Sequence, residues 1–419
     1  MKTTAVRLHG ACDLRLSTFE LPEITADEAL MRVVSDSLCA STYKAYKQGA
    51  AHKRVPDNVA DMPVIVGHEM SGELVAVGAN LAADWKVGDR VIIQPALKLA
   101  NWYDPGYSYP YIGGAATYVV VPKVVFERGC LLPFAGDSHA KGSLVESIGC
   151  VVRGYKGMYH INYDDFSRTD GAKRGGKIAI LGGAGPMGLA AAALAGSYAG
   201  CSMAAVVDID EARLAFASRR FPSEASEKFG CKLHYVNTKN MDDPAAALRE
   251  LADGGFDDVL VMVPVPELFT LAEAICGEDG CINFFAGPAD HGLMGSINLY
   301  RIHYDGIHVV GTAGSNPADT VDTIRLIEEG KIDPSIMISH ICGLPQYADA
   351  VRAFEKPFGA KKVCYNHIDL PMTAIDDLAE LGKTDPMMAR LAELVAAHGG
   401  LWNAEAEAYL LANAKKVDA

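Results

Sequence analysis

Residues 177–196 read KIAILGGAGPMGLAAAALAG, and this stretch decides the fold of the chain around it. Lys177 to Leu181 is a short apolar run with the length of a buried strand. A glycine turn follows, then an alanine-rich run with high helix propensity. Gly183, Gly185 and Gly188 have the spacing GxGxxG. Alone that spacing is weak, but a strand before it and a helix after it are the context in which it binds a dinucleotide. The first glycine permits a tight turn, the second lets the backbone approach a pyrophosphate, and the third lets helix and strand pack closely. The phosphates are expected at the helix N-terminus, beside Pro186 and Met187, where unpaired N–H groups and the helix dipole favour an anion. A glycine turn without a ligand is the alternative.

The pattern continues downstream. AAVVDID (204–210), DDVLVMVP (257–264), CINFFAG (281–287) and GIHVVGT (306–312) read as strands. EARLAFASRR (211–220) and ADTVDTIRLIEEG (318–330) read as helices between or after them. Strands alternating with helices predict an α/β, doubly wound parallel sheet. Asp208 closes the second strand, 20 residues after Gly188. A carboxylate there suits ribose hydroxyls and repels a 2′-phosphate, which favours NAD(H). Arg213, Arg219 and Arg220 lie close by in sequence and keep NADP(H) open.

The first 130 residues have a different grammar. ALMRVVSDSL (29–38), MSGELVAVG (70–78), DRVIIQPAL (89–97) and AATYVVVP (115–122) are strand candidates punctuated by Gly, Pro, Asn and Asp. They predict a β-rich domain. The stretch NWYDPGYSYPYIGG (101–114) reads as a loop. Near the other end, DPMMARLAELVAAHGG (385–400) has Asp385 as cap, Pro386 at the first helical position and Gly399 as a stop. Asn403 is the expected cap of a last helix through Asn413.

Composition sets outer limits. The chain has 419 residues, half of them hydrophobic, enough for two or three domains. A net charge of −14 argues against a nucleic-acid partner. No apolar run reaches membrane-spanning length, and the charged start MKTTAVRLHGACDLRL has no signal-peptide core, so no membrane partner is expected. Ten cysteines without a CxxC pair fit a cytoplasmic protein.

Three side chains stand out as metal donors. Cys39 lies in SDSLCAST, His68 in GHEMSG and Glu146 in GSLVESIGC. A thiolate, an imidazole and a carboxylate with one open position suit a catalytic zinc. Sequence spacing does not show that they converge. Cys39 also reads as a buried thiol, His68 as a core histidine, and Glu146 as a residue capping or pairing at a helix start.

The succession Cys…GHExxG…Glu ahead of GxGxxG resembles the medium-chain, zinc-dependent alcohol and polyol dehydrogenases. That resemblance covers about residues 1–368 and implies a GroES-like β-rich catalytic domain plus a Rossmann domain. The implied boundaries are 1–170 with 312–419 for the first, including a helical tail 369–419, and 171–311 for the second. A cleft between the two is the implied place of metal and nicotinamide. Cys39, His68 and Glu146 are then the zinc ligands, with Glu69 a neighbouring acid or temporary fourth ligand. Ser41 is the hydroxyl that relays the substrate proton, and the VGTAGS loop (310–315), with Thr312, is expected beside the nicotinamide. Residues 91–121 hold no cysteine, so one catalytic zinc and no structural zinc is expected. Where many relatives carry a histidine five residues after the ligand cysteine, this chain has Lys44.

Lys44, Lys53 and Arg54 form a basic group in an acidic chain, suited to a substrate phosphate or, as the plainer reading, to an exposed surface. Within the family the resemblance is to the branch that reduces L-sorbose 1-phosphate to D-glucitol 6-phosphate, carried by PGYSYPYIGG, GSLVESIGCV, CINFFAGP and the tail GLWNAEAEAYLLANA. A free polyol or other secondary alcohol as substrate is the first alternative, and a non-catalytic dinucleotide-binding module the second. A homodimer or homotetramer is implied by the family.

Overall fold

The computed structural model describes residues 1–356 and 359–417; the last two positions of the tail read from sequence lie outside the described residues. The chain divides into two compact units. One comprises Met1–Glu146, Asn316–Ile324 and Ile338–Ala419, the other Ser147–Ser315 and Arg325–Met337.

The second unit is built on a six-stranded sheet, all parallel. Its strands run Lys232–Asn237, Met203–Asp208, Lys177–Leu181, Phe256–Val261, Cys276–Phe284 and His308–Gly311 in spatial order. The order therefore reverses beside Lys177–Leu181, which places the glycine turn at the switch point where doubly wound sheets bind ligands. Ile178 to Leu181 are wholly buried. The helix Pro186–Leu194 is buried along its whole length from Gly188 onward, which only small alanine side chains permit against a sheet. Lys232–Asn237 is not evident in the sequence. It is an edge strand with only Leu233 buried, so its Lys, His and Asn residues hide the apolar pattern.

This unit begins earlier than expected. Residues 147–170 belong to it and not to the β-rich part. The hairpin Tyr159–Asn162 with Ser167–Asp170 is tied in through His160. The His160 ring bonds the Asp279 carbonyl at 2.9 Å and the Asp258 carboxylate at 3.2 Å, and the Ile161 N–H donates to Asp279 at 2.9 Å. Residues 312–315 and 325–337 also fall here, where the sequence suggested the β-rich part.

The first unit has an eight-stranded mixed sheet. Its centre is Lys361–Tyr365, Ala29–Ser37, Met70–Val77 and Arg90–Ile93, with Tyr118–Val121 also paired to Ala29–Ser37. The strand candidates of the first 130 residues all appear within it. A three-stranded sheet, Asp13–Glu20, Lys2–Gly10 and Val64–Ile65, covers one side of the core formed by residues such as Leu8, Leu38, Val66 and Tyr347. The tail helices Pro386–Ala397 and Ala404–Asn413 start at Asp385 and Asn403, whose side chains accept from Met387 N and Ala406 N. Among the described residues, no helix is long and apolar enough to cross a membrane.

Candidate active site

Two strand ends of the first unit carry the donor groups. Ala29–Ser37 ends two residues before Cys39, and the link between Val64–Ile65 and Met70–Val77 carries His68 and Glu69. In a strand, adjacent side chains would diverge. Residues 67–69 lie outside any strand, so His68 and Glu69 turn to one side. Gly67 makes this bend. Its φ is +90°, and an added Cβ would fall 2.5 Å from the Asp36 carboxylate and 2.6 Å from the Tyr347 hydroxyl. Asp36 fixes the same segment, accepting from Glu69 N at 3.0 Å and from the Tyr347 hydroxyl at 2.6 Å.

The ligand atoms of Cys39, His68 and Glu69 all lie within 4.8 Å of one another. Among the described residues this is the one such group, and Glu146 stands outside it. Glu146 sits in the first turn of the helix Val145–Lys156, half-buried. Its charge still acts on Cys39, Tyr107 and Lys361. The structure thus gathers the carboxylate that adjoins His68 more tightly than the one expected from the resemblance. Glu69 is also ion-paired, with Lys361 Nζ at 2.6 Å, and accepts from the Ser37 hydroxyl. Both members of this pair are buried.

The donor set fits zinc. Burial, and after it the charge of Glu69, push the Cys39 thiol up to about 12. That thiol gives up its proton readily only to a cation, and S, N and O donors are what zinc takes. The His68 ring is held by Thr42 Oγ1 at 3.4 Å from Nδ1, which leaves Nε2 facing Ser41 at 3.3 Å.

Ser41 is bonded into this group. Its hydroxyl is 3.0 Å from Cys39 Sγ and accepts from the Tyr107 hydroxyl at 2.9 Å. Tyr107 comes from the loop read as 101–114 and stacks on His52, with ring centroids 5.7 Å apart. Sequence reasoning missed Tyr107, Thr42, His52 and Lys361. The aromatic density of the loop was the one available signal, because these residues reach the site only through tertiary folding.

Lys44, Lys53 and Arg54 all act on one imidazole. Burial first, then Arg54, Lys53 and Lys44, pull the His52 imidazole down to about 4, so these cations share one locality. Lys98 adds to the field at Lys53. Arg54 pairs with Asp104 at 2.7 Å. Lys53 lies 4.3 Å over the Trp102 ring.

In the other unit, the positive φ of the glycine turn belongs to Gly182, at +67°. Gly183 and Gly188 serve close packing, since a Cβ on Gly188 would fall 2.1 Å from the Gly183 carbonyl oxygen. Gly185 begins the helix Pro186–Leu194 and faces open space. Asp208 accepts from Ala184 N at 3.2 Å, which puts its carboxylate beside the turn. Arg213 lies on the next helix, 3.7 Å from Asp210. Thr312 bonds Asn283 at 3.2 Å.

Comparison with known proteins agrees with this architecture. Residues 25–128 match the alcohol dehydrogenase GroES-like domain, and residues 186–329 match the zinc-binding dehydrogenase domain. The chain belongs to the zinc-containing, medium-chain alcohol dehydrogenase family, and is an NAD(P)-dependent zinc alcohol or polyol dehydrogenase. It is 42% identical to the mannitol-1-phosphate 5-dehydrogenase of Aliivibrio fischeri, over 98% of this chain and 97% of that one. It is also 42% identical to the L-sorbose 1-phosphate reductase of Klebsiella pneumoniae, over 99% and 98%. Among solved structures, the 2R,3R-butanediol dehydrogenase of Bacillus subtilis shares the fold with a TM-score of 0.70 at 23% identity, covering 87% of this chain and 99% of that one. Family membership sets aside the non-catalytic alternative.

Proposed function

We propose that this chain reduces a ketose phosphate with NADH, and that L-sorbose 1-phosphate, giving D-glucitol 6-phosphate, is the first pair to test. The observation that carries the reading is the convergence of Cys39, His68 and Glu69 beside the Ser41–Tyr107 hydroxyl pair, with Arg54 over the ring of the same tyrosine and Lys44 and Lys53 acting on His52, which stacks on it. Similarity to two enzymes named for sugar phosphates, over nearly the full length, supports the same substrate class.

Cys39 and His68 are the core ligands, with Glu146 or Glu69 completing the set. A zinc ion held there supplies a Lewis acid for the carbonyl or alcohol oxygen. Ser41 carries a proton between substrate oxygen and Tyr107. Lys53, Lys44 and Arg54 attract the phosphate, Arg54 while also bracing the loop through Asp104. In the parallel-sheet unit, Gly183, Gly185, Pro186, Met187 and Gly188 hold the pyrophosphate, Asp208 takes the ribose hydroxyls, Arg213 on the following helix is the cation for a 2′-phosphate should NADP(H) bind, and Thr312 flanks the nicotinamide. Exposed Met294, Leu299, Tyr300 and Tyr304 near the edge strand His308–Gly311 support a homo-oligomer formed by this unit. Ten cysteines without a CxxC pair fit a reducing compartment, the cytoplasm.

The test is NADH oxidation by metal-quantified protein, with L-sorbose 1-phosphate and with free L-sorbose, before and after chelation. Chelator-sensitive turnover of the phosphate ester, lost through KM in Lys53→Ala/Arg54→Ala, is the expected result. The engagement of Arg54 by Asp104 favours a second reading, a free polyol. Equal turnover of both sugars, with equal effects of the substitutions, would establish that reading instead.

A further inference from the structure

The C-terminal tail places a carboxylate inside the catalytic unit. Glu407, on the helix Ala404–Asn413, is 5% exposed. It accepts from His139 N at 2.7 Å, from Ala140 N at 2.8 Å, from the Ser138 hydroxyl at 3.0 Å and from the Tyr365 hydroxyl at 2.9 Å. Trp402, also in the tail and buried, donates its indole N–H to the same Tyr365 oxygen at 2.6 Å. Four donors on one buried carboxylate form a clamp, since charge-assisted hydrogen bonds are the strong ones.

The clamped element is the short helix His139–Ser143. It is bonded to both strands that lead to the donor groups. Ser35 Oγ donates to the His139 carbonyl at 2.8 Å, and Ser71 Oγ lies 3.1 Å from the His139 ring. At its far end the Ser143 carbonyl lies 3.2 Å from Ser37 Oγ, whose single proton goes to Glu69. Glu146 follows three residues later.

We infer that Glu407 is a positioning residue for the metal site: the tail carboxylate fixes the start of His139–Ser143, and through it the Ser37–Glu69 contact and the placement of Glu146. This rests on the metal reading proposed above. Groups that orient ligands without touching the metal change its affinity by about 10–100-fold when removed.

The experiment measures zinc release to a chromogenic chelator, the visible spectrum of the cobalt-substituted protein, and NADH affinity, in wild type, Glu407→Ala and Glu407→Gln. Expected are roughly tenfold faster zinc release and a shifted cobalt spectrum in Glu407→Ala, an intermediate result in Glu407→Gln, and unchanged NADH affinity in both. If Glu407→Ala does not fold, Tyr365→Phe removes one donor and is read the same way, with faster release expected. Wild-type protein that holds no zinc would overturn the metal reading and this inference together. Zinc-loaded variants releasing metal at the wild-type rate, or losing NADH affinity in parallel, would overturn this inference alone.

Discussion

The buried pair Glu69–Lys361 gives the sharpest quantitative expectation. Its side chains are 0% and 5% exposed, and Nζ lies 2.6 Å from Oε1. Burial raises the Glu69 pKa, but Lys361 and His68, with the Ser37 hydrogen bond, outweigh it and hold the carboxyl below its ordinary value. Replacing Lys361 by Met keeps the side-chain volume and removes the partner. An uncompensated buried charge then costs about 3–5 kcal/mol. Replacing both, as Lys361→Met/Glu69→Gln, removes that charge and is expected to recover most of the loss. All three tryptophans, Trp85, Trp102 and Trp402, lie in the same unit as the pair, so intrinsic fluorescence follows its unfolding. With an m value of about 3 kcal/mol per molar urea, the single variant should lower the midpoint by roughly 1–1.7 M. The measurement is made on metal-free protein, so that zinc does not mask the charge. A shift below about 0.3 M, or a double variant no more stable than the single one, would refute the argument that the pair is held by mutual need and not by surrounding packing.

Other expectations follow from single contacts. Gly67→Ala forces a Cβ to within 2.5 Å of Asp36 at φ +90° and should cost at least about 1–3 kcal/mol; fluorescence-detected urea unfolding checks it, and a neutral result would show that the bend relaxes freely. His160 is pulled down by burial but pushed up more strongly by Asp258 and Asp279, so its folded pKa lies above its ordinary value. Its proton therefore stabilises the fold fully below about pH 6.5, and that contribution fades as pH rises through the folded pKa. Histidine NMR with His160→Gln as the assignment control should show a resonance titrating above 6.5; one titrating below it contradicts the Asp258 contact. Asp208→Ser should raise the preference for NADPH over NADH by about tenfold or more, equivalent to about 1.4 kcal/mol; an unchanged ratio of kcat/KM values removes Asp208 from cofactor selection.

The sequence by itself determined the local rules. The strand–glycine–helix run at 177–196 dictated a parallel, dinucleotide-binding sheet, because buried strand length, turn glycines and helix propensity are all local properties. The caps Asp385 and Asn403 marked the tail helices for the same reason. Cys39, His68, Glu69 and Ser41 were legible as chemistry-bearing residues, though their convergence was not. Only the tertiary structure decided that Glu69 crowds closer to Cys39 and His68 than Glu146 does, since that depends on the bend at Gly67 and on Asp36. It alone brought Tyr107 to Ser41, Lys361 to Glu69 and Glu407 to His139, contacts spanning 66, 292 and 268 residues. Periodicity and propensity act over a few residues. A hydrogen bond between distant segments leaves no trace in either until the core that joins them has formed.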